Sequence, residues 1–406
     1  MKDKDCSSAN KVFWFHSINF IFIDMFIPVP LELARQKNKV CSIFLSEHGY
    51  GLVKDNITYF NWLNRFTIIK KISTVPRESP FCKLFRIINL FSLSLEMLFS
   101  SKYLAFFPYT RGANLSLKLL SLIAYVRGVS IAYGGIYVIN ILDTDADHNP
   151  KKEFLGKLQK GNRKPRRVNK CIKYNKVLFC NKDQIYIYKR YHGLKELSQS
   201  NHLILSHPKL QNWWKDFVDK YPPSYDREEI SINHNIISVF ITFQGCFFYD
   251  KDSDLDVLLK EILSSIRLFF PKTLIAIKPK AQINFVWLNE FIHKLNDDNI
   301  VITNTPVSIL SRKSIFGVTT GLSNAFFEFV INGKPWIEYC RYSQFWKSYY
   351  PPLTFTEEFG GIFTQSIEDL QKYISSIKEK NFDLKRLKKQ IDFKDVNIDF
   401  DFFSNN

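Results

Sequence analysis

At 406 residues, 46% hydrophobic and 16% aromatic, the chain carries enough apolar material for a large core split over two domains, and it falls outside the disordered and fibrous classes. Its seven cysteines are scattered and include no Cys-x-x-Cys pair, which excludes a disulfide scaffold and a cysteine-based zinc module and fits a reducing cytoplasm. A net charge of +17 calls for an anionic partner, whether nucleic acid, lipid or a phosphorylated substrate, without choosing among them.

Lys11 to Phe15 predicts a first strand, Pro28 to Gln36 a loop and helix, and Lys39 to Leu45 a second strand, which together make a βαβ opening. The apolar run from Val12 to Leu31 is long enough to raise a membrane span. His16, Asn19, Asp24, Pro28 and Pro30 interrupt it, so it reads as a buried strand and a turn. The mixed-charge start Met1–Cys6, with no small-residue cleavage site after it, predicts no secretory signal and a cytoplasmic protein.

The second apolar region, Phe81 to Phe107, carries Arg86, Glu96 and Lys102 and reads as a helix packed on a sheet. An amphipathic helix on an anionic membrane surface is the alternative. Strands at Tyr103–Phe107, Val129–Tyr133 and Lys176–Cys180 are separated by helical patterns such as Leu115–Tyr125, the alternation of a parallel, doubly wound sheet. Gly134–Gly135, just past a strand end, is either a plain turn or a place for close backbone approach to a ligand.

After an extended stretch at Ile136 to Leu142, the sequence Asp143-Thr-Asp-Ala-Asp-His148 resembles the start of a calcium loop. His148 stands where that loop needs glycine, and Phe154 where it needs glutamate. Asp143 and Asp145 therefore remain as candidate general bases, with a solvated acidic turn as the alternative. Between Lys151 and Lys176 eleven Lys or Arg residues face the single acid Glu153, a basic loop that Gly161 and Pro165 keep from being a helix.

Leu203 to Trp214 gives a short strand, a turn at Pro208 and a helix with Trp213 and Trp214. The polar segment Asp219 to Asn235 then reads as a linker, and the pattern restarts. Strands at Ile236–Phe243, Thr273–Ile277 and Ile300–Thr303 alternate with helices at Leu255–Phe270, Phe285–Leu295 and Val307–Arg312. Helices at Ile367–Lys378 and Asp383–Gln390 close the chain. The predicted organisation is an α/β protein of two Rossmann-like domains facing each other across a cleft, with residues 1–218 first, a linker at 219–235, a second domain at 236–365, and closing helices and tail at 366–406.

The most informative stretch is Ile315 to Tyr339, which reads as strand, tight turn, helix and strand. Thr319, Thr320 and Gly321 end the strand, Ser323 and Asn324 open a helix whose apolar positions are Ala325, Phe326, Phe329 and Val330, and Gly333 stops it. A hydroxyl-rich turn at a helix start gathers unpaired N–H groups and suits a phosphate. Lys278 and Lys280, fixed by Pro279 at the end of a neighbouring strand, add positive charge, and Gln244 and Gly245 follow another strand end.

Three segments resemble the GT-B glycosyltransferase superfamily, in particular bacterial surface-polysaccharide enzymes of the capsule and CDP-glycerol polymer transferase kind. They are Leu205 to Trp214, Ile275 to Lys280, and the Thr/Ser-rich turn with its helix glutamate and the strand Gly333-Lys-Pro-Trp-Ile-Glu-Tyr339. The resemblance implies transfer of a sugar from a nucleotide-sugar donor to a surface-glycan or lipid-linked acceptor, with neither cofactor nor metal. It implies that Glu328 binds the nucleotide ribose. The acceptor base is expected from the first domain: His16, which follows the first strand and can titrate near neutral pH, with Asp143 and Asp145 as alternatives. A sugar-nucleotide epimerase of the same fold, a basic nucleic-acid-binding protein using Lys151–Lys176, and a non-catalytic member of the fold are the competing readings. The expected place of work is the cytoplasm, with peripheral contact on the inner membrane face.

Overall fold

The computed structural model describes residues 10–18, 20–72, 80–108, 115–133, 174–180, 202–242, 253–280, 283–343, 355–358, 361–382 and 395–405. They fall into two compact units, one holding the described residues up to 133, those from 174 to 224 and those from 395 on, the other holding those from 225 to 382.

In chain order the first unit contains β1 (Lys11–Phe15), α1 (Phe20–Phe26), α2 (Pro28–Arg35), β2 (Lys39–Phe44), α3 (Glu47–Lys54), α4 (Ile57–Phe66), β3 (Ile68–Lys71), α5 (Pro80–Phe99), β4 (Tyr103–Pro108), α6 (Leu115–Val126), β5 (Ser130–Tyr133), β6 (Lys176–Phe179), β7 (His202–Ile204) and α7 (Asn212–Lys220). Its seven strands pair in parallel in the order β3-β2-β1-β4-β5-β6-β7. A parallel sheet is covered on both faces, so its strands are apolar on both sides. Trp14 stacks on Phe106 and Tyr133, at 4.7 and 4.6 Å between ring centres, on one face. Phe13, Phe15, Ala105 and Phe107 form the other face, beneath Leu93 and Met97 of α5 and Leu117, Leu120 and Ala124 of α6.

The run from Val12 to Leu31, expected as a strand and a turn, folds as β1 followed by α1 and α2. Met25, Phe26, Ile27, Val29, Leu31 and Leu33 are all buried there, and a helix satisfies its own backbone hydrogen bonds in a dry interior. Residues 47–66, unassigned by pattern, form α3 and α4. Ser46 and Asn56 cap them by accepting the Gly49 and Tyr59 N–H groups, each at 3.1 Å.

The stretch Leu205–Trp214 builds core. Lys209, 6% exposed, pairs with Asp24 at 2.7 Å while Tyr59 donates to the other oxygen of Asp24 at 2.6 Å, and Trp214 stacks on Phe217. Residues 395–405, ending in a short C-terminal helix (Phe400–Asn405), return to this unit. Asn212 donates to Asp395, the Trp213 indole to Val396 O, and Gln36 to Ile398 O.

The second unit contains α8 (Glu228–Ile232), β8 (Ile236–Ile241), α9 (Ser253–Phe269), β9 (Ile275–Pro279), α10 (Phe285–Leu295), β10 (Ile300–Ile302), α11 (Val307–Lys313), β11 (Ser314–Thr319), α12 (Ala325–Ile331), β12 (Trp336–Tyr339), α13 (Phe355–Glu358), β13 (Ile362–Thr364) and α14 (Ile367–Lys378). Six parallel strands lie in the order β10-β9-β8-β11-β12-β13, the doubly wound order with its switch point between β8 and β11. Gly333 takes the left-handed φ of 65° that ends α12, and its N–H and that of Lys334 return to Val330 O and Phe329 O at 2.9 Å. The segment read as a linker carries α8. It is pinned by Asp226, whose carboxylate accepts from the Thr303 and Thr305 hydroxyls and the Asn304 N–H.

Candidate functional site

The C-terminal ends of β8, β9 and β11 are locked together by main-chain and hydroxyl bonds. Thr320 N–H donates to Phe240 O at 3.0 Å, Thr242 N–H to Thr320 Oγ1 at 3.3 Å, and Lys280 N–H to Ile241 O at 2.9 Å. Lys280, Thr319, Thr320, Gly321, Ser323 and Asn324 are thereby gathered at the switch point, where ligands of open α/β sheets bind.

Within this group the two threonines and the two residues after Leu322 have different jobs. Thr319 Oγ1 donates to Gly321 O at 2.6 Å and accepts the Gly321 N–H, and Thr320 Oγ1 accepts from Thr242. Both threonines are fully buried, so their hydroxyls build the turn. Leu322 N–H donates to Tyr342 Oη at 2.9 Å. Ser323 and Asn324 are half-buried, and their backbone N–H groups have no partner among the described residues. Ser323 Oγ accepts the Ala325 N–H at 3.3 Å, and the Asn324 side chain makes no cap bond. Because α12 has only seven residues, these groups, and not the helix dipole, are what the turn offers an anion.

The two lysines separate. Lys278 Nζ donates to Asn304 O at 3.1 Å, toward β10, whereas burial holds the half-buried Lys280 ammonium below the usual lysine range. Glu328, 5% exposed, accepts a hydrogen bond from the Ser308 hydroxyl and so ties α12 to α11. Gln244, Gly245, Asp143, Asp145, Gly134–Gly135 and all but the last three residues of the basic loop lie outside the described residues.

Three residues here were not singled out by sequence. Thr242 is 6% exposed and its Oγ1 is buried with no partner among the described residues, two positions before Gln244 in the chain. Glu338, at the heart of β12, is wholly buried and accepts from the Tyr342 and Thr356 hydroxyls, and burial raises its carboxyl to about 7. Tyr342 joins that carboxylate to Leu322. A hydroxyl at a strand end is the signal that could have flagged Thr242.

His16 occupies the corresponding switch point of the first unit, directly after β1, whose neighbours are β2 and β4. Its N–H donates to Ile43 O at 2.9 Å, and its ring stacks on Phe44 at 4.3 Å and an interplanar angle of 5°. Burial pulls the imidazole down to about 3, which corrects the expectation that His16 titrates near neutral pH, and Nε2 is buried without a partner among the described residues. A cavity in this unit, lined by Tyr103, Arg127, Lys176, Phe400 and Phe403, lies at the opposite, N-terminal ends of β4, β5 and β6, away from the ligand end of the sheet. Among the described residues no three His, Cys, Asp or Glu side chains are grouped to hold a metal ion.

No protein-family model matches the sequence, and no curated protein matches it. Solved structures do. TcCGT1, crystallised in complex with UDP, aligns at 11% identity over 94% of both chains with a TM-score of 0.50. The S. aureus MnaA–UDP structure aligns at 12% identity over 94% of this chain and 91% of that one, TM-score 0.48. Methanocaldococcus jannaschii UDP-GlcNAc 2-epimerase, solved with UDP-GlcNAc and UDP, aligns at 12% identity over 98% of each chain, TM-score 0.47. Two consecutive parallel sheets in the doubly wound order, together with the alignment that spans TcCGT1, give this chain the GT-B fold.

Proposed function

We propose that the protein is a metal-independent glycosyltransferase that moves a sugar from a nucleotide-sugar donor to a surface-glycan or lipid-linked acceptor, as in the building of capsule or lipopolysaccharide. The observation that carries this reading is the convergence of Lys280, the orphaned Thr242 hydroxyl and the amides of Ser323 and Asn324 at one switch point. In this reading the donor diphosphate accepts from the Ser323 and Asn324 amides and from Thr242, and its charge offsets the desolvation of Lys280. Gln244 and Gly245 flank it in sequence, and Glu328 holds the ribose in place of, or alongside, its bond to Ser308.

In the transfer itself, the acceptor hydroxyl gives its proton to the base as its oxygen bonds to the anomeric carbon, and His16 serves as that base only where acceptor binding reaches its buried Nε2 and lifts the imidazole above about 3. The bond from that carbon to the diphosphate oxygen breaks, and the nucleoside diphosphate leaves with the electron pair, stabilised by the same donors. Asp143 and Asp145 are the other candidate bases. The test is a panel of nucleotide sugars with the purified protein, read by thermal shift and by mass spectrometry of products. A shifted melting temperature with one nucleotide series and a sugar-extended acceptor are expected. A donor isomerised without any acceptor would instead establish a sugar-nucleotide epimerase, and no response to any nucleotide would sink both.

A further inference from the structure

Helices α5 and α6 lie side by side over one face of the first unit's sheet, and each is apolar on two sides. Their inner sides supply Leu93, Met97, Leu117, Leu120 and Ala124 to the core. Their outer sides should then be polar, as surface helices are. They are not. On α5, Leu84, Ile88, Phe91 and Phe99 recur at helical spacing and are 51–82% exposed. On α6, Leu115, Leu119, Leu122 and Val126 recur in the same way and are 51–83% exposed. With Phe85, Ile87 and Leu98 the two helices leave eleven large apolar side chains in solvent. Since both inner edges rest on the same sheet face, both outer stripes point away from it, and eleven large side chains on two adjacent helices are far more than the singly scattered surface hydrophobics of an ordinary monomer.

Charge selects the occupant. The sequences of α5 and α6 contain a single carboxylate, Glu96, and it is turned to Lys11 and Lys70, each at 2.5 Å. Lys118 is exposed among the α6 leucines, and Arg127 stands exposed at the end where the helices finish, next to Lys102, which is paired with Asp401 at 3.9 Å. Arg127 joins the two helices by donating to Leu98 O and Ser100 O. An apolar face with Lys118 and Arg127 at its border, on helices whose one carboxylate is engaged by lysines, is complementary to acyl chains under anionic headgroups. A second copy of the chain would set one +17 molecule and its cationic border against another. Among the described residues no helix is long and apolar enough to cross a bilayer, so the face lies on the surface and does not span it.

We infer that the outer face of α5 and α6 docks the protein on an anionic lipid bilayer. This extends the acceptor side of the proposed reaction, since a lipid-linked acceptor is presented at such a surface, but it stands on different residues. Vesicle binding by a protein that ignores every nucleotide sugar would sink the transfer reading and leave the docking face intact.

The test is flotation of the full chain with vesicles of phosphatidylcholine alone or with phosphatidylglycerol added, accompanied by hydrogen exchange with and without vesicles. The anionic vesicles are expected to carry the protein at least tenfold better than the neutral ones. Peptides from 84–99 and 115–126 gain protection, and the Phe91→Glu/Leu119→Glu variant loses tenfold or more of the binding with an unchanged melting curve. Hydrogen exchange on the wild-type chain keeps the test decisive should that variant fold poorly. The inference is overturned if neither vesicle binds. It is equally overturned if protection falls on 151–176 while the variant still floats, or if the chain is a dimer that ignores vesicles and that the variant splits.

Discussion

Tyr342 Oη donates to the buried carboxylate of Glu338 and, from the other side, receives the N–H of Leu322 at 2.9 Å. One hydroxyl therefore couples a carboxylate inside the second sheet to the turn at the switch point. Tyr342→Phe removes that hydroxyl, leaving the half-buried Leu322 N–H without its acceptor and the buried Glu338 carboxyl with Thr356 alone, a loss of about 1–3 kcal/mol. Chemical denaturation should show it. If the turn seats the donor phosphate, the same variant raises KM for the nucleotide sugar several-fold and leaves kcat nearly unchanged.

Glu338 also makes stability depend on pH. Its folded-state value of about 7 lies above the ordinary 4.5, with burial as the cause against the opposing bonds from Thr356 and Tyr342. The folded state then binds the proton more tightly than the unfolded one. The carboxyl's favourable contribution is fully present below about 4.5, is lost as pH rises to about 7, and changes no further above that. The swing is on the order of 3 kcal/mol. Glu338→Gln should flatten the urea-midpoint profile in that window, and a profile unchanged by the substitution would refute the assignment.

His16 pairs a structural burden with the proposed chemistry. With its imidazole pulled down to about 3, against the ordinary 6.5, the ring is neutral at physiological pH and its Nε2 is an unpartnered acceptor or donor in a dry site. Its stabilising share is present above 6.5 and drains away as pH falls toward 3. His16→Phe keeps the stack on Phe44 and deletes the orphaned nitrogen. It should raise stability by about 1 kcal/mol, and a kcat lowered roughly 10²-fold or more would keep His16 as the base, whereas an unchanged kcat would remove it from the candidates. The wild-type kcat/KM profile should lack an acid limb near 6.5.

Gly317, in β11, faces the Phe240–Phe329–Trp336 aromatic cluster. A Cβ there would sit 2.6 Å from the Trp336 ring and 2.9 Å from that of Phe329. Neither ring can swing aside inside a packed core, so Gly317→Ala should cost about 1–3 kcal/mol, read as a lowered melting temperature.

The second unit was the more legible in sequence. The helices at Phe285–Leu295 and Ile367–Lys378 match their amphipathic patterns residue for residue, and Asn284 and Ser366 supply caps at their starts. In the first unit α1 was hidden because seven residues make barely two turns, too few for a period to show, and β3 because an edge strand of four residues, none of them buried, has little pattern. At the site, the turn could be located but the roles within it could not. Thr319 and Thr320 look alike in sequence, and what commits Thr320 is Thr242, 78 positions away. Glu328 stood out beside the turn, whereas Glu338, between Ile337 and Tyr339 in β12, gave no sign that its carboxylate turns inward to hydroxyls from Tyr342 and Thr356.

The return of residues 395–405 to the first unit bears on how the protein is made. Gln36, Asn212 and Trp213 leave the ribosome early, but the partners they hold at Asp395, Val396 and Ile398 emerge only after the second unit has been synthesised. At 5–20 residues per second that interval is about ten to thirty seconds. During it the nascent first unit exists without its final strap, and the window for chaperone capture or premature cleavage is set by the length of the second unit.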